Sequence, residues 1–333
     1  MIEGRLAWGL LSTARINSVV IPPIGASSRS MLLAVASREG PKALAYAEAR
    51  SIPRAYGSYE EMLADPDIDI VYNSLPNSLH AQWSIKAMRA GKHVLCEKPM
   101  ALTVAEADEL AETAKATGRV VAEAFMYRHH PQTRLVRKLV TEGAVGRVLS
   151  MRGSFTFSIK SEDDPRLRGE LGGGSIWDIG CYPISYARFV AGVEPVEARG
   201  RAVMGKGGVD EGFWGELLFP KTEVLAEGCL LQFDSGFRSP FRSRFEISGA
   251  EGTIAVSSPF KPEPGDRLTL TRADRTETIE FPALELYAGE IADIEAAVIE
   301  GTPQAVGLAD SRGNAAAIVA LLKAALSKGT VSV

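Results

Sequence analysis

Residues 5–16 read Arg5-Leu6-Ala7-Trp8-Gly9-Leu10-Leu11-Ser12-Thr13-Ala14-Arg15-Ile16, an apolar run that halts at a cluster of small residues before apolar character returns. A buried strand that turns sharply into a helix has this form. A dinucleotide-binding fold needs such a turn, with side chains small enough for the backbone to approach a pyrophosphate and a helix whose first N–H groups face that anion. Gly9, Ser12 and Ala14 meet the size requirement, and Thr13 and Arg15 complete the candidate cradle. The run is not a strict G-x-G-x-x-G, so by itself it also reads as an ordinary strand-to-helix turn. The helix that follows is expected to be short, because Pro22 and Pro23 break or end it.

Working outward, short β-type runs alternate with helical periodicity as far as Ala124. Strands are predicted near Arg5–Leu11, Met31–Ser37, Asp69–Asn73, His93–Glu97 and Val120–Ala124, and helices over Pro41–Ser51, Leu79–Ala90 and Thr103–Thr117. Gly91 and Gly118 stand where helix C-termini want glycine, and Thr103 with Glu106 forms a capping box. Such alternation is the signature of βαβ units around a parallel sheet.

Beyond a helix predicted at Pro131–Glu142 the pattern changes. Strand-like stretches follow at Gly146–Ser158, Val196–Val203, Gly212–Phe219, Val224–Phe233, Arg244–Ser248 and Leu268–Thr271, with helices at Ser175–Ala191, Leu284–Glu300 and Leu308–Lys328. A run of strands without alternation predicts a mostly antiparallel sheet. The fold class expected is therefore α/β plus α+β: an N-terminal doubly wound parallel sheet and a C-terminal, mostly antiparallel open sheet. At 333 residues the chain is long enough for two domains, divided as 1–125 and 126–333.

Bulk properties narrow the ligand. A net charge of -4 and the absence of a Lys/Arg run give no electrostatic footprint for nucleic acid or anionic lipid. No stretch approaches the roughly 20 apolar residues that span a bilayer, and the N-terminus lacks the pattern of a signal peptide. Cys96, Cys181 and Cys229 have no close spacing. Together these point to a small-molecule ligand and a reducing cytoplasm.

Strand two ends at Ala34-Val35-Ala36-Ser37-Arg38, without an acidic residue to accept hydrogen bonds from the ribose 2'-hydroxyl of NAD. Ser37, Arg38 and Lys42 instead offer a hydroxyl and two cations to a 2'-phosphate, which favours NADP(H) over NAD(H); the alternative is that both cations are solvated surface charges. Further along, Val94-Leu95-Cys96-Glu97-Lys98-Pro99 ends a strand with a charged pair and a proline. The carboxyl end of a parallel strand faces the ligand crevice, so Glu97 and Lys98 stand where chemistry usually occurs, and the proline permits a cis bond.

At this point the chain resembles the Gfo/Idh/MocA oxidoreductases. The matching stretches are WGLLSTARI, the Ala34–Arg38 strand end, LPNSLHAQWSIKAMRAGKHVLCEKPMAL at 75–102, EAFMYRHHPQ at 123–132 and GGGSIWDIGCYPI at 172–184, in family order. The resemblance implies that Lys98 lies beside the nicotinamide and substrate, and that the loop Leu75, Pro76, Asn77 and His80 contacts the nicotinamide ribose; the same residues also read as a helix cap at Asn77 with His80 packed against the following helix. It further implies that Asp178 and Tyr182 stand for the family's aspartate and acid/base. Many members carry His where this chain has Tyr182. Tyrosine is usual in the subgroup of dimeric dihydrodiol dehydrogenases, NADP-dependent xylose dehydrogenases and glucose-fructose oxidoreductase. The resemblance also implies a homodimer or higher homo-oligomer formed through the C-terminal sheet.

Residue chemistry supports the assignment of Asp178 and Tyr182. Four apart, they project from one helix face. A phenol of ordinary pKa is a poor base near neutrality, and an ammonium such as Lys98 would lower that pKa while polarising the reacting oxygen. Lys98, Asp178 and Tyr182 are thus expected to converge on one substrate. Tyr127, Arg128, His129, His130 and Gln132 read either as a pocket wall or as a hydrogen-bond network; Arg166, Arg168 and Trp177 are further substrate candidates. No His/Cys spacing suits a metal. The expectation is an NADP-dependent dehydrogenase or reductase of a sugar, polyol or related carbonyl compound, an aldose dehydrogenase of the D-xylose or D-glucose type. The alternatives are a trans-dihydrodiol dehydrogenase and, in another class, a non-catalytic NAD(P)-sensing regulatory protein.

Overall fold

The computed structural model describes residues 1–273 and 275–333. The chain divides into two compact units, one of Met1–Met126 with Tyr287–Arg312 and one of Tyr127–Leu286 with Gly313–Val333.

In the first unit the strands are β1 (Leu6–Leu11), β2 (Ser30–Ala36), β3 (Arg54–Tyr56), β4 (Ile70–Asn73), β5 (His93–Glu97) and β6 (Val121–Ala124). They form a six-stranded parallel sheet ordered β3-β2-β1-β4-β5-β6, the doubly wound Rossmann arrangement. β1 is buried at every position, as a parallel strand covered on both faces must be. The helices are α1 (Asn17–Ala26), α2 (Gly40–Glu48), α3 (Tyr59–Ala64), α4 (His80–Arg89) and α5 (Val104–Thr117). At the start of α5 the Thr103 hydroxyl accepts from the Glu106 N–H, while the Glu106 carboxylate accepts from the Leu102 N–H at 2.8 Å. Gly91 and Gly118, at φ +82° and +66°, take the left-handed conformation that terminates α4 and α5.

Two local expectations change. α1 does not end at its prolines but continues to Ala26 with Pro22 and Pro23 inside it. Proline costs a helix a donor and crowds the preceding turn, yet its φ is helical, and here burial of Val20, Pro23 and Ile24 holds the segment. β3 and α3 were not expected: a three-residue strand is too short to show a period. α3 did carry a signal, since Ser58 caps it by accepting from the Glu61 N–H at 3.1 Å.

The C-terminal helix α8 (Ala288–Glu300) belongs to the first unit, whereas the division at residue 126 assigns it to the second domain. Its link to the Rossmann sheet is polar. The Trp8 indole donates to the Ser30 hydroxyl at 2.8 Å, Ser30 donates to the buried Glu295, and Ser27 donates to the same carboxylate at 2.6 Å. Such bonds join residues distant in sequence, which is why periodicity does not reveal them.

The second unit is built on a nine-stranded sheet. Its elements are α6 (Pro131–Thr141), β7 (Val148–Ser158), α7 (Cys181–Ala191), β8 (Glu197–Met204), β9 (Asp210–Leu218), β10 (Leu225–Gly236), β11 (Arg238–Gly249), β12 (Thr253–Ser257), β13 (Arg267–Arg272), β14 (Arg275–Glu280) and β15 (Val331–Ser332). The order is β14-β13-β12-β11-β7-β10-β9-β8-β15, antiparallel except that β7 and β10 run parallel at its centre. Along β11 exposed and buried residues alternate, the mark of a sheet with one covered face. The helix α9 (Leu308–Ser327) approaches β8 and β9 closely, where Gly200 and Gly215 leave room for Leu321. Ahead of α7, residues Ile176–Gly180 form a π-helical turn, wider than the regular helix expected over Ser175–Ala191.

Candidate active site

The carboxyl ends of β1 and β4 meet at the switch point of the first sheet, where Ser12 and Ser74 bring their hydroxyls within 2.9 Å. Ser12 has φ +123°, a conformation that favours glycine and costs a serine about 1–3 kcal/mol. It is held there by its neighbours: the Asn17 amide donates to the Ser12 carbonyl at 2.8 Å, and Ser74 donates to Asn17 at 2.7 Å. The Ser12 hydroxyl in turn accepts from the Ala14 N–H at 3.1 Å. Thr13, Ala14 and Arg15 then lead into α1, so the turn has the small side chains and the oriented helix start that a pyrophosphate requires. Gly9 lies elsewhere. It sits inside β1, where Met62 and Ile68 fill the space of an absent side chain, 3.0 and 3.2 Å from where a Cβ would be. Its smallness serves packing, and sequence reading missed Asn17 and Ser74 because their use depends on the meeting of two strand ends.

At the end of β2, Ser37 is buried and accepts from the Glu39 N–H at 3.3 Å, whereas Arg38 and Lys42 are exposed. Arg38 faces the Tyr59 phenol, whose pKa burial raises and the Arg38 charge pulls partly back. An exposed cation beside a buried hydroxyl, with no acid ending β2, is compatible with a phosphate.

Around Lys98 the geometry is set by backbone. The Lys98–Pro99 bond is cis. His80, fully buried, reaches the Pro99 carbonyl with Nδ1 at 2.8 Å and the Leu75 carbonyl with Nε2 at 2.7 Å, and so ties the loop Leu75-Pro76-Asn77 to the Lys98 turn. Only an imidazolium donates to both carbonyls, but burial, with a smaller push from the Lys98 charge, lowers the His80 pKa to about 4. Asn73, unremarked in the sequence, steadies the same loop by donating to the His80 carbonyl and to Ser84, both at 3.0 Å. Glu123 accepts from the Met100 N–H at 2.9 Å on the far side of the turn. Glu97 accepts a short hydrogen bond from the buried Tyr72. Nearby on α8, Glu290 is 2% exposed with neither carboxyl oxygen hydrogen-bonded among the described residues, and burial, reinforced by Glu97, drives its pKa well above the ordinary range.

Asp178 and Tyr182 belong to the second unit. Asp178 lies in the π turn, and its carboxylate is 3.3 Å from the Arg166 guanidinium, which also pairs with Asp164 and lies over the Phe157 ring. Tyr182 opens α7 and is enclosed by rings: Phe155 edge-on at 5.4 Å, Phe260 at 5.7 Å and Tyr127 at 5.8 Å between centroids. Tyr127 is itself fully buried and donates to the Ser185 hydroxyl at 2.8 Å, so it supports the Tyr182 ring from below. Trp177 is nearly buried, and Arg168 is half exposed with Asp163 3.7 Å away. Arg128 is buried over the Phe189 ring at 4.1 Å and reaches Ser185. His130 caps α6 through Nδ1, and Gln132 donates to the Ser257 carbonyl at 3.4 Å. Burial, helped by Arg134 and Arg128, lowers the His129 pKa to about 4. The 127–132 stretch thus follows the network reading more than that of a pocket wall.

Among the described residues no group of three His, Cys, Asp or Glu side chains is placed to hold a metal ion, and no helix is long and apolar enough to cross a membrane. Cys96, Cys181 and Cys229 are buried.

Comparison with known proteins agrees with this layout. The oxidoreductase family GFO_IDH_MocA, NAD-binding Rossmann fold, matches residues 7–125, and the GFO/IDH/MocA C-terminal domain matches residues 133–255. The D-xylose 1-dehydrogenase (NADP(+)) 2 of Haloferax volcanii is 34% identical over 303 residues, covering 90% of this chain and 91% of that one. Among solved structures, the aldose-aldose oxidoreductase of Caulobacter crescentus complexed with glycerol superposes with a TM-score of 0.89 at 30% identity, covering 99% of this chain and all of the other. A 3-ketoreductase of Actinomadura kijaniata in complex with NADP and TDP-benzene gives a TM-score of 0.87 at 30% identity, covering 96% and 98%. With both domains matched and relatives aligned along nearly its whole length, the chain belongs to the Gfo/Idh/MocA family of NAD(P)-binding oxidoreductases and acts on sugar or polyol hydroxyl and keto groups.

Proposed function

We propose that the chain is an NADP-dependent dehydrogenase of free aldoses or polyols. The nicotinamide, when bound, accepts or delivers the hydride. The chain's own residues do the rest: Lys98 polarises the reacting oxygen, Tyr182 takes the alcohol proton during oxidation or returns it during reduction, and Asp178 orients a neighbouring hydroxyl. Arg38 and Lys42 would hold the 2'-phosphate, and the turn from Ser12 to Arg15 the pyrophosphate.

The observation that carries the substrate class is the charge balance along residues 162–168, which reach Asp178 through Arg166. Arg166 is matched by Asp164 and Asp178, Arg168 by Asp163, and Arg238 by Glu162 and Glu211. Cations already matched by carboxylates give a diphosphate little to bind, so a neutral polyhydroxy compound fits better than a nucleotide-linked sugar. The aromatic surroundings of Tyr182 favour a second reading, a cyclic trans-dihydrodiol, whose apolar ring suits an aromatic-rich setting. Retention of Lys98, Asp178 and Tyr182 together speaks against a sensor without chemistry. The half-open sheet of the second unit, with a groove of about 870 Å³ lined by Trp214, Gln232 and Arg244 among others, suits the homo-oligomer that family membership suggests.

A screen of aldoses, polyols, dihydrodiols and a nucleotide-linked sugar, followed at the NADPH absorbance, tests the reading. Turnover of a free aldose or polyol is expected. Turnover confined to the nucleotide-linked sugar would overturn it, and turnover of the dihydrodiol alone would select the second reading.

A further inference from the structure

Asp210, at the start of β9, is 3% exposed and is not among the residues assigned above to nucleotide or substrate. Its Oδ2 accepts from the Ser175 hydroxyl at 2.6 Å and from the Ile176 N–H at 2.9 Å. These residues begin the segment that carries Trp177, Asp178 and Tyr182. Ser175 also meets the Ser235 hydroxyl of β10 at 3.0 Å. Gly174, at φ +117°, passes so close that a Cβ there would lie 2.5 Å from Asp210 Oδ1, and a Cβ on Gly180 would lie 3.1 Å from Ser235 Oγ. Both ends of the π turn are therefore pinned against the β9–β10 pair. A π turn has little intrinsic stability, and a carboxylate at its N-terminus both satisfies an orphan N–H and suits the helix dipole.

We propose that Asp210 is a positioning residue for proton transfer: ionised, it fixes the π turn and hence the direction in which Asp178 and Tyr182 are presented; protonated, it relaxes that hold. The inference rests on the reading of Tyr182 as the proton-transfer group. Burial, opposed by the hydrogen bonds from Ser175 and Ile176, raises the Asp210 pKa to about 6, so the change of state falls within an ordinary assay range. The groups against it are the Ser175 hydroxyl and the Ile176 N–H, with the backbone of Ser175 and of Asp210 itself also favouring the charged form, and Asp210 makes no ion pair among the described residues. The charges nearby are occupied elsewhere: Glu211 of β9 with Arg238 of β11, Asp234 of β10 with Arg242, and Asp178 with Arg166.

The test is the profile of kcat/KM between about pH 5 and 8 on the best substrate of the screen, with Asp210→Asn, Ser175→Ala and Tyr182→Phe beside the wild type. The wild type should lose activity on the acid side with a midpoint near the value of about 6 given by Asp210. Ser175→Ala removes one bond to the charged form and should move that midpoint upward. Asp210→Asn should lose roughly 10-fold or more in kcat with unchanged NADPH affinity, and should show no such limb. Superimposable profiles for Ser175→Ala and wild type, or full kcat in Asp210→Asn, would overturn the proposal, and Ser175→Ala decides alone should the other variant not fold. Full turnover in Tyr182→Phe defeats the underlying reading instead, whereas an inert Tyr182→Phe beside an unmoved Ser175→Ala profile removes only Asp210.

Discussion

Lys98 and Tyr182 are held in place by different physics. In the first unit the Lys98 turn is stapled by polar groups: the Pro99 carbonyl to His80, the Met100 N–H to Glu123, and Glu97 to Tyr72. In the second unit Tyr182 is lodged among rings, with Phe155, Phe260 and Tyr127 around it and Tyr186 stacked on Tyr127 at 5.7 Å. Polar staples are directional and costly to leave half made, whereas ring packing is redundant and tolerates conservative change. The Lys98 turn should therefore respond to substitution through hydrogen bonding, and the ring cage of Tyr182 through the loss of a single reactive atom, the pH response of the second unit resting on Asp210 at the π turn.

The sharpest way to break that contrast is Tyr182→Phe. The ring cage should accept phenylalanine unchanged, so turnover should fall about 100-fold or more while fluorescence titration with NADPH gives the wild-type affinity. Full activity would show that the cage holds no proton-transfer group. Next in size, Arg38→Ala should erase most of the preference for NADPH over NADH, a change of about 10- to 30-fold in relative affinity, with turnover at saturation little altered. Equal affinities in the wild type would end the NADP assignment.

A smaller effect sharpens the polar side. Because the folded-state pKa of Glu290 is raised, the folded chain keeps a proton that the unfolded chain releases above about pH 4.3, and Glu290 costs stability as pH rises beyond that point. Glu290→Gln should thus stabilise the protein at pH 8 and leave its stability nearly unchanged at pH 4. Thermal melts at the two pH values measure this, and a destabilised variant at pH 8 would mean that the carboxylate is ionised and paired.

These contrasts bear on what a sequence can disclose. The parallel sheet was legible because alternation, the Thr103–Glu106 box and the glycines at 91 and 118 are local signals. Lys98, Asp178 and Tyr182 were assigned chiefly through resemblance, since a lysine before a proline, or an acid four residues from a phenol, is common in ordinary turns and helices. The π turn was invisible: its shape depends on Asp210, on a strand more than thirty positions away, and on the close approach of Gly174 and Gly180. Gly9 misled for the opposite reason, as a small residue near a nucleotide turn whose space Met62 takes. α8 joined the first unit through Glu295, which from the sequence alone is one more surface acid on a helix.

That last attachment carries a consequence for how the molecule is made. The Rossmann unit is assembled from two stretches of chain, Met1–Met126 and Tyr287–Arg312, with the whole of β7 to β14 in between. A nascent chain emerging from the ribosome would present its first six strands long before α8 arrives to accept hydrogen bonds from Ser27 and Ser30. The nucleotide-binding half, although translated first, waits for a segment made after most of the second unit before it is fully built.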